Sequence, residues 1–139
     1  MNLKQQLVEF EGRVPHAYQD SLGKWTIGVG RLIDKQGGGL TDDEIDYLLN
    51  NDIREKTSEV LAALPWAANL NEPRQAVLIG MAFQLGLGGL LAFKNTLAAT
   101  QAGRFSAAAA GMLSSKWAEQ TPARVQKLAK QLQTGEWQT

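Results

Sequence analysis

Residues Glu9–Leu32 read EFEGRVPHAYQDSLGKWTIGVGRL, and their interpretation decides the rest of the chain. Just upstream, Leu3, Leu7 and Phe10 recur at i, i+4 and i+7, the stripe of an amphipathic helix, and Gly12 is a natural C-terminal stop. Glu11 falls eight positions after Leu3, on the apolar face at the helix end, where a merely solubilising carboxylate is not expected. After Pro15, HAYQD (16–20) and WTIGVGRL (25–32) flank SLGK (21–24), a pattern that predicts a β-hairpin. Alternation along the second strand places Trp25, Ile27 and Val29 on one greasy face and Thr26, Gly28 and Gly30 on a nearly bare one.

Beyond the hairpin, DKQGGG (34–39) reads as a loop, and LTDDE (40–44) offers Thr41 as N-cap with Glu44 at N3, a capping box. Helical spacing then continues through Ile45, Leu48, Leu49, Ile53, Val60 and Leu64 to Pro65, a helix of about six turns. Asn71 caps a further helix with Pro73 in its first turn, and AVLIGMAFQLG (76–86) is apolar nearly all round, which marks a buried helix. Shorter helices are expected after it, punctuated by GLGG (86–89), Gly103 and Ser106. The last begins with Thr121 as N-cap, Pro122 at N1 and Arg124 in the first turn. The reading is α+β and mostly helical: a small hairpin-bearing N-terminal lobe, a long connecting helix and an all-helical C-terminal lobe. A cleft between lobes is a usual place for a ligand.

The 139 residues suffice for one cooperative core, or for two small lobes sharing a helix. The absence of cysteine removes disulfides, thiol catalysis, zinc–thiolate sites and iron–sulfur clusters. The start, MNLKQQLVEFEG, is too polar for a signal h-region or a membrane span, so no signal peptide and no stable membrane association are expected. Net charge is zero, yet residues 1–64 hold 7 basic and 11 acidic groups while residues 65–139 hold 7 and 3. That gives −4 and +4, and suggests an anionic partner held against the C-terminal part.

His16 is the only histidine and no G-x-S-x-G occurs, so a Ser-His-Asp site lacks support. GLGG (86–89) follows a helix and no GK[ST] occurs, which disfavours dinucleotide and P-loop binding. The acidic run 42–44 is explained by capping and the helix dipole, and no metal or other cofactor is expected. Nucleic acid is a poor partner at zero net charge without interleaved aromatic and basic residues. The carboxylate pair Glu11 and Asp20 remains. Glycoside hydrolysis needs one protonated carboxyl to protonate the leaving oxygen and one ionised carboxyl to guide water or attack the sugar. An apolar surround and the negative end of the helix dipole would disfavour the charged form of Glu11, while a wetter Asp20 at a turn stays ionised. Thr26 could hold a water beside Asp20, and Gly28 and Gly30 would let a sugar approach the backbone. By spacing alone, Glu11 as a helix-end charge and Asp20 as a turn former remain open.

The ordered pattern E-G-x5-Y-x-D-x5-T-I-G-x-G, carried by Glu11, Gly12, Tyr18, Asp20, Thr26, Ile27, Gly28 and Gly30, resembles the active-site signature of the phage lysozyme (endolysin) family, the family 24 glycoside hydrolases of T-even-phage type. The resemblance continues through LTDDEIDYLL (40–49), MAFQLG (81–86), FKNTL (93–97), SKWAEQTPAR (115–124) and TGEW (134–137), and so covers essentially the whole chain. It implies a single lysozyme-like domain, 1–139, with lobe 1 at about 12–64 and lobe 2 at about 65–139 plus the N-terminal helix 1–11. It also implies an endolysin that hydrolyses the β-1,4 bond between N-acetylmuramic acid and N-acetylglucosamine in bacterial peptidoglycan, with inversion, causing host lysis. Glu11 would be the general acid, with Asp20 and Thr26 positioning the water. Substrate contacts would fall on Leu32, Phe83 and Thr96, with Gln84, Thr121, Arg124 and Gly30 also facing the cleft.

The implied enzyme is a monomer that accumulates in the host cytoplasm until a separate holin-type pore protein releases it to the wall. A non-catalytic wall-binding module and a lytic transglycosylase are the alternatives, both disfavoured by the presence of Asp20 and Thr26. Arg31 stands where better-known members carry histidine, so an Asp–His pair tying the lobes is not expected. Gly80 stands where an asparagine can occur.

Overall fold

Helix α1 (Leu3–Glu11) opens with a capping box, in which the Asn2 side chain accepts the Gln5 N–H and the Gln5 side chain accepts the Asn2 N–H, each at 2.9 Å. It closes where Gly12, at φ 76°, donates its N–H to the Val8 carbonyl. The computed structural model describes Met1–Thr139 and divides into two compact units, Met1–Leu49 and Asn50–Thr139, with the division inside α2 (Asp42–Ala63).

In the first unit, β1 (Val14–Gln19), β2 (Trp25–Gly28) and β3 (Arg31–Leu32) form an antiparallel sheet in the order β1-β2-β3. The predicted hairpin is there, but the predicted long second strand is two strands. Gly28 and Gly30 both take positive φ, 70° and 67°, which turns the chain at Val29 and sends Arg31–Leu32 back along β2. Val29 therefore does not continue the face of Trp25 and Ile27. Nor is the face of Thr26 bare: Thr26 is the buried residue of β2, because it is central in the sheet, opposite Tyr18 on one side and Leu32 on the other. The register slips between Val14 and Tyr18, in the stretch of edge strand β1 that contains Pro15, whose missing N–H is tolerated at such an edge.

The capping box predicted at α2 is formed: Thr41 N–H and Oγ1 donate to Glu44 Oε1 at 2.9 Å, and Glu44 N–H donates to Thr41 Oγ1. Asp42, Asp43 and Glu44 fill the first turn, where the helix dipole favours anions.

The core of the second unit forms around α3 (Glu72–Leu91), which buries Val77, Leu78, Met81, Ala82 and Leu90. A 3₁₀ turn at Pro65–Asn69 precedes it, and Asn71 caps it as predicted, accepting the Arg74 N–H. The GLGG stretch does not end this helix. The backbone breaks only at Gly86 (φ 76°, ψ 164°) and helical structure resumes to Leu91, carried by the packing of Leu85, Leu87 and Leu90 on the core. Then come α4 (Lys94–Gln101), α5 (Phe105–Leu113), α6 (Lys116–Gln120) and α7 (Pro122–Thr134). Gly103 separates α4 from α5 as expected, whereas Ser106 lies inside α5. The packed faces of α5 and α7 contribute Ala108, Ala109, Met112, Val125, Ala129 and Leu132 to the same core as α3. Trp117 is buried there, edge-on to Phe93 at 5.9 Å between ring centroids.

Arg74 binds the start of α3 to the end of α7. Its Nε donates to the Leu132 carbonyl at 2.8 Å, an Nη donates to the Gln133 carbonyl at 2.9 Å, and its guanidinium lies 3.6 Å from the centre of the Phe105 ring. These are charge-assisted bonds in a half-buried setting, so Arg74→Ala is expected to destabilise the second unit by about 2–4 kcal/mol. Chemical denaturation followed by circular dichroism checks this, and Arg74→Lys should recover only part of the loss because it cannot fork between two carbonyls.

Candidate active site

The turn 20–24 places Asp20 and Thr26. Asp20 Oδ1 accepts the N–H groups of Leu22 and Lys24, each at 2.9 Å, an arrangement that an aspartate at a turn's first position makes with its own backbone. The Asp20 N–H donates to the Lys24 carbonyl, and the same carbonyl accepts the Thr26 hydroxyl proton at 3.1 Å. Asp20 and Thr26 are thus joined through the backbone of Lys24. The second carboxylate oxygen of Asp20 takes no protein donor, and the Thr26 oxygen, having given its proton away, presents lone pairs only.

Glu11 is the last residue of α1, and its carboxylate lies against Gly30. A Cβ at Gly30 would come within 3.0 Å of both Glu11 Cδ and Oε2. The sequence reading left Gly30 bare so that a sugar could approach; the structure adds that it must be bare for Glu11 to lie where it does. Glu11 is exposed and has no protein hydrogen-bond partner, so the expected apolar surround is absent: α1 ends in solvent and buries none of its residues. Leu32, opposite Thr26 across the β2–β3 pair, shares its side of the sheet.

The other predicted contacts belong to the second unit. Phe83 is 46% exposed, Thr96 is buried against Gly111 of α5, and Arg124 is exposed in the first turn of α7. Gln84 Oε1 accepts the Trp117 indole N–H at 3.1 Å, which orients its amide. Thr121 occupies the N-cap position of α7 but does not cap it, because its hydroxyl donates back to the Trp117 carbonyl at the end of α6. Trp117 therefore holds both Gln84 and Thr121, a link between distant segments that no local motif announces.

Arg31 has a partner within the first unit. Its guanidinium donates to the Gly39 carbonyl at 3.0 Å and to Glu44 Oε1 at 2.8 Å, tying β3 to the first turn of α2. The hydrogen bond from Arg31, then those from the Thr41 backbone and hydroxyl, hold the Glu44 carboxyl down at about 2.

These features match known proteins along the chain. The model of the phage lysozyme family covers residues 8–134. A probable T4-type lysozyme of Dictyostelium discoideum is 26% identical over 96% of this chain and 95% of its own length. The pre-baseplate central spike protein Gp5 of Enterobacteria phage T4 is 30% identical over 97% of this chain, which spans 28% of that protein. The peptidoglycan hydrolase gp36 of Pseudomonas phage phiKMV is 27% identical over 94% of the chain, equal to 15% of its own length. The fold and these matches define a glycoside hydrolase. The chain belongs to the phage lysozyme family.

Two outcomes follow from the geometry. Because the carboxyl of Glu44 is lowered from its ordinary 4.5 in the folded state, its bonds stabilise fully above about pH 4.5 and are lost as pH falls toward about 2. Thermal melting at pH 6 and pH 3 should show a smaller acid-induced drop in Glu44→Gln than in the parent chain. Gly30→Ala combines a positive φ with contact on Glu11, so it should lose about 1–2 kcal/mol of stability. The same change, by displacing the carboxylate, should lower turnover roughly 10–100-fold in a peptidoglycan-clearing assay.

Proposed function

We propose that the chain hydrolyses the β-1,4 bond between N-acetylmuramic acid and N-acetylglucosamine in bacterial peptidoglycan, with Glu11 as general acid and Asp20 with Thr26 holding the attacking water. The observation that carries this reading is the Asp20–Lys24–Thr26 link. It leaves one unpaired carboxylate oxygen and one hydroxyl acceptor on adjacent sites, which suits a water that must lose a proton to Asp20 as it attacks. Glu11 sits at the C-terminal end of α1, against Gly30 and open to a bound glycan. The proton it gives to the leaving oxygen is balanced by the one that Asp20 takes from water. Attack by a held water on the face opposite the leaving group inverts the anomeric carbon. Gly30 and Leu32 lie beside Thr26, and Phe83, Gln84, Thr121 and Arg124 contribute further glycan or stem-peptide contacts, whereas Thr96, buried against Gly111, is a packing residue rather than a substrate contact. The T4-type lysozyme and peptidoglycan hydrolase relatives support the substrate.

The enzyme acts as a monomer. It waits in the host cytoplasm for a holin-type pore protein to open the way to the wall.

On purified sacculi, Glu11→Gln should lose ~10²–10⁴ in rate, the usual scale for a general acid. Mass spectrometry of the parent digest should find products heavier by one water, and ¹H NMR of the fresh digest should find the α anomer before mutarotation. Anhydro ends, or an undiminished rate in Glu11→Gln, would overturn the mechanism.

A further inference from the structure

The sheet has a second surface that the proposed chemistry leaves unused. Cross-strand partners share a face, so Tyr18, Thr26 and Leu32 lie on one side, while Gln19 and Trp25, one residue out of phase, lie on the other. On that reverse side is a groove of about 730 Å³ lined by Ala17, Trp25, Ile33, Asp34, Lys35 and Gln36. Trp25 is 47% exposed there, against 4% for Trp117 in the core, so about half of its surface is open to a ligand.

The groove is built rather than incidental. The Trp25 carbonyl accepts the N–H groups of both Ile33 and Asp34, at 2.9 and 3.2 Å, which fastens the start of the loop to β2. Asp34 then closes a turn, its Oδ1 accepting the Gln36 N–H and its carbonyl accepting the Gly37 N–H. Gly37 lies so close to Leu32 that a Cβ would come within 2.6 Å of the Leu32 side chain, so the loop is pressed onto β3. The side chains of Lys35 and Gln36, at the tip of this turn, make no hydrogen bond or ion pair within the chain, and one Asp34 oxygen is unpaired.

We propose that this groove is an accessory binding site for the N-acetylated hexosamines of a peptidoglycan strand, an inference that rests on the muramidase reading. A pyranose has an apolar C–H face and a polar edge. The exposed indole suits the first, and the Gln36 amide and Asp34 carboxylate suit the hydroxyls and N-acetyl groups of the second. The Lys35 ammonium complements a lactyl or stem-peptide carboxylate. The substrate is a polymer in a net, so a second grip on the far side of the same small sheet would hold one strand while its neighbour is cut and would lengthen residence on the wall.

The test uses the full chain carrying Glu11→Gln, labelled with ¹⁵N and titrated with the N-acetylglucosamine tetramer. Two groups of shifts are expected, one at Thr26 and Gly30, the other at the Trp25 indole N–H and the amides of Asp34, Lys35 and Gln36. Adding Trp25→Ala should erase the second group, keep the first, and reduce retention on sacculi ~3-fold or more, the scale of one lost aromatic stack. A Lys35→Ala/Gln36→Ala pair, at exposed positions, should reduce retention in the same direction even if Trp25→Ala fails to fold. Saturation of the first group with the second silent, or retention unchanged in the double variant, would overturn this inference alone. Shifts at neither group, with no cleavage of sacculi by the parent chain, would bring down the muramidase reading as well.

Discussion

The backbone of Lys24 is gripped by two side chains and one backbone group: its N–H by Asp20 Oδ1, its carbonyl by the Asp20 N–H and the Thr26 hydroxyl. Much of the first unit depends on that arrangement. It closes the turn between β1 and β2 and so sets the register that puts Tyr18 opposite Thr26. With Thr26 fixed centrally, Leu32 on β3 falls on the same side and Trp25 on the other. One set of bonds therefore shapes the turn, aims Asp20 and Thr26 and assigns each face of the sheet.

A second constraint acts from the opposite end of the strand. The double reversal at Gly28 and Gly30 returns the chain as β3 and leaves room for the Glu11 carboxylate. Arg31, the next residue, is fastened to Gly39 and Glu44, so the turn beneath Glu11 is braced by the capping box of α2. An arginine can do this where a histidine could not, since one terminal nitrogen carries two protons and reaches a carbonyl and a carboxylate together. Arg31 thus has a local partner in the same unit.

Features set by neighbouring residues were legible before the structure: the glycine stop of α1, the Thr41/Glu44 box, the Asn71 cap with Pro73, and the hairpin with its Asp20 turn. Each is a bond over two to four positions, and the amino acids that make it are few. What escaped the reading depends on distance. Arg31 finds Glu44 thirteen residues on, Gln84 finds Trp117 thirty-three on, and Arg74 finds Leu132 fifty-eight on, none with a periodic signal. Two misreadings were local but overruled by packing. GLGG looked like a stop, yet Leu85, Leu87 and Leu90 carry the helix across Gly86, and Thr121 looked like a cap, yet its hydroxyl turns to Trp117. Glu11, Asp20 and Thr26 were readable as a resemblance; the Lys24 backbone that joins two of them was not.

The clasp between Arg74 and the last turn of α7 spans 58 and 59 residues, and Asn71 reaches the Gly135 carbonyl over 64. During synthesis, α3 emerges from the ribosome long before its partners, exposing Val77, Leu78 and Met81 with nothing to cover them. The second unit cannot shut until the segment around Gly135 has cleared the exit tunnel, whereas the first unit, whose pairings are all short, is free to form at once. The nascent chain thus passes through a stage in which its Asp20–Thr26 turn is already shaped while its greasiest helix still needs shelter, the stage at which a holding chaperone acts on such chains.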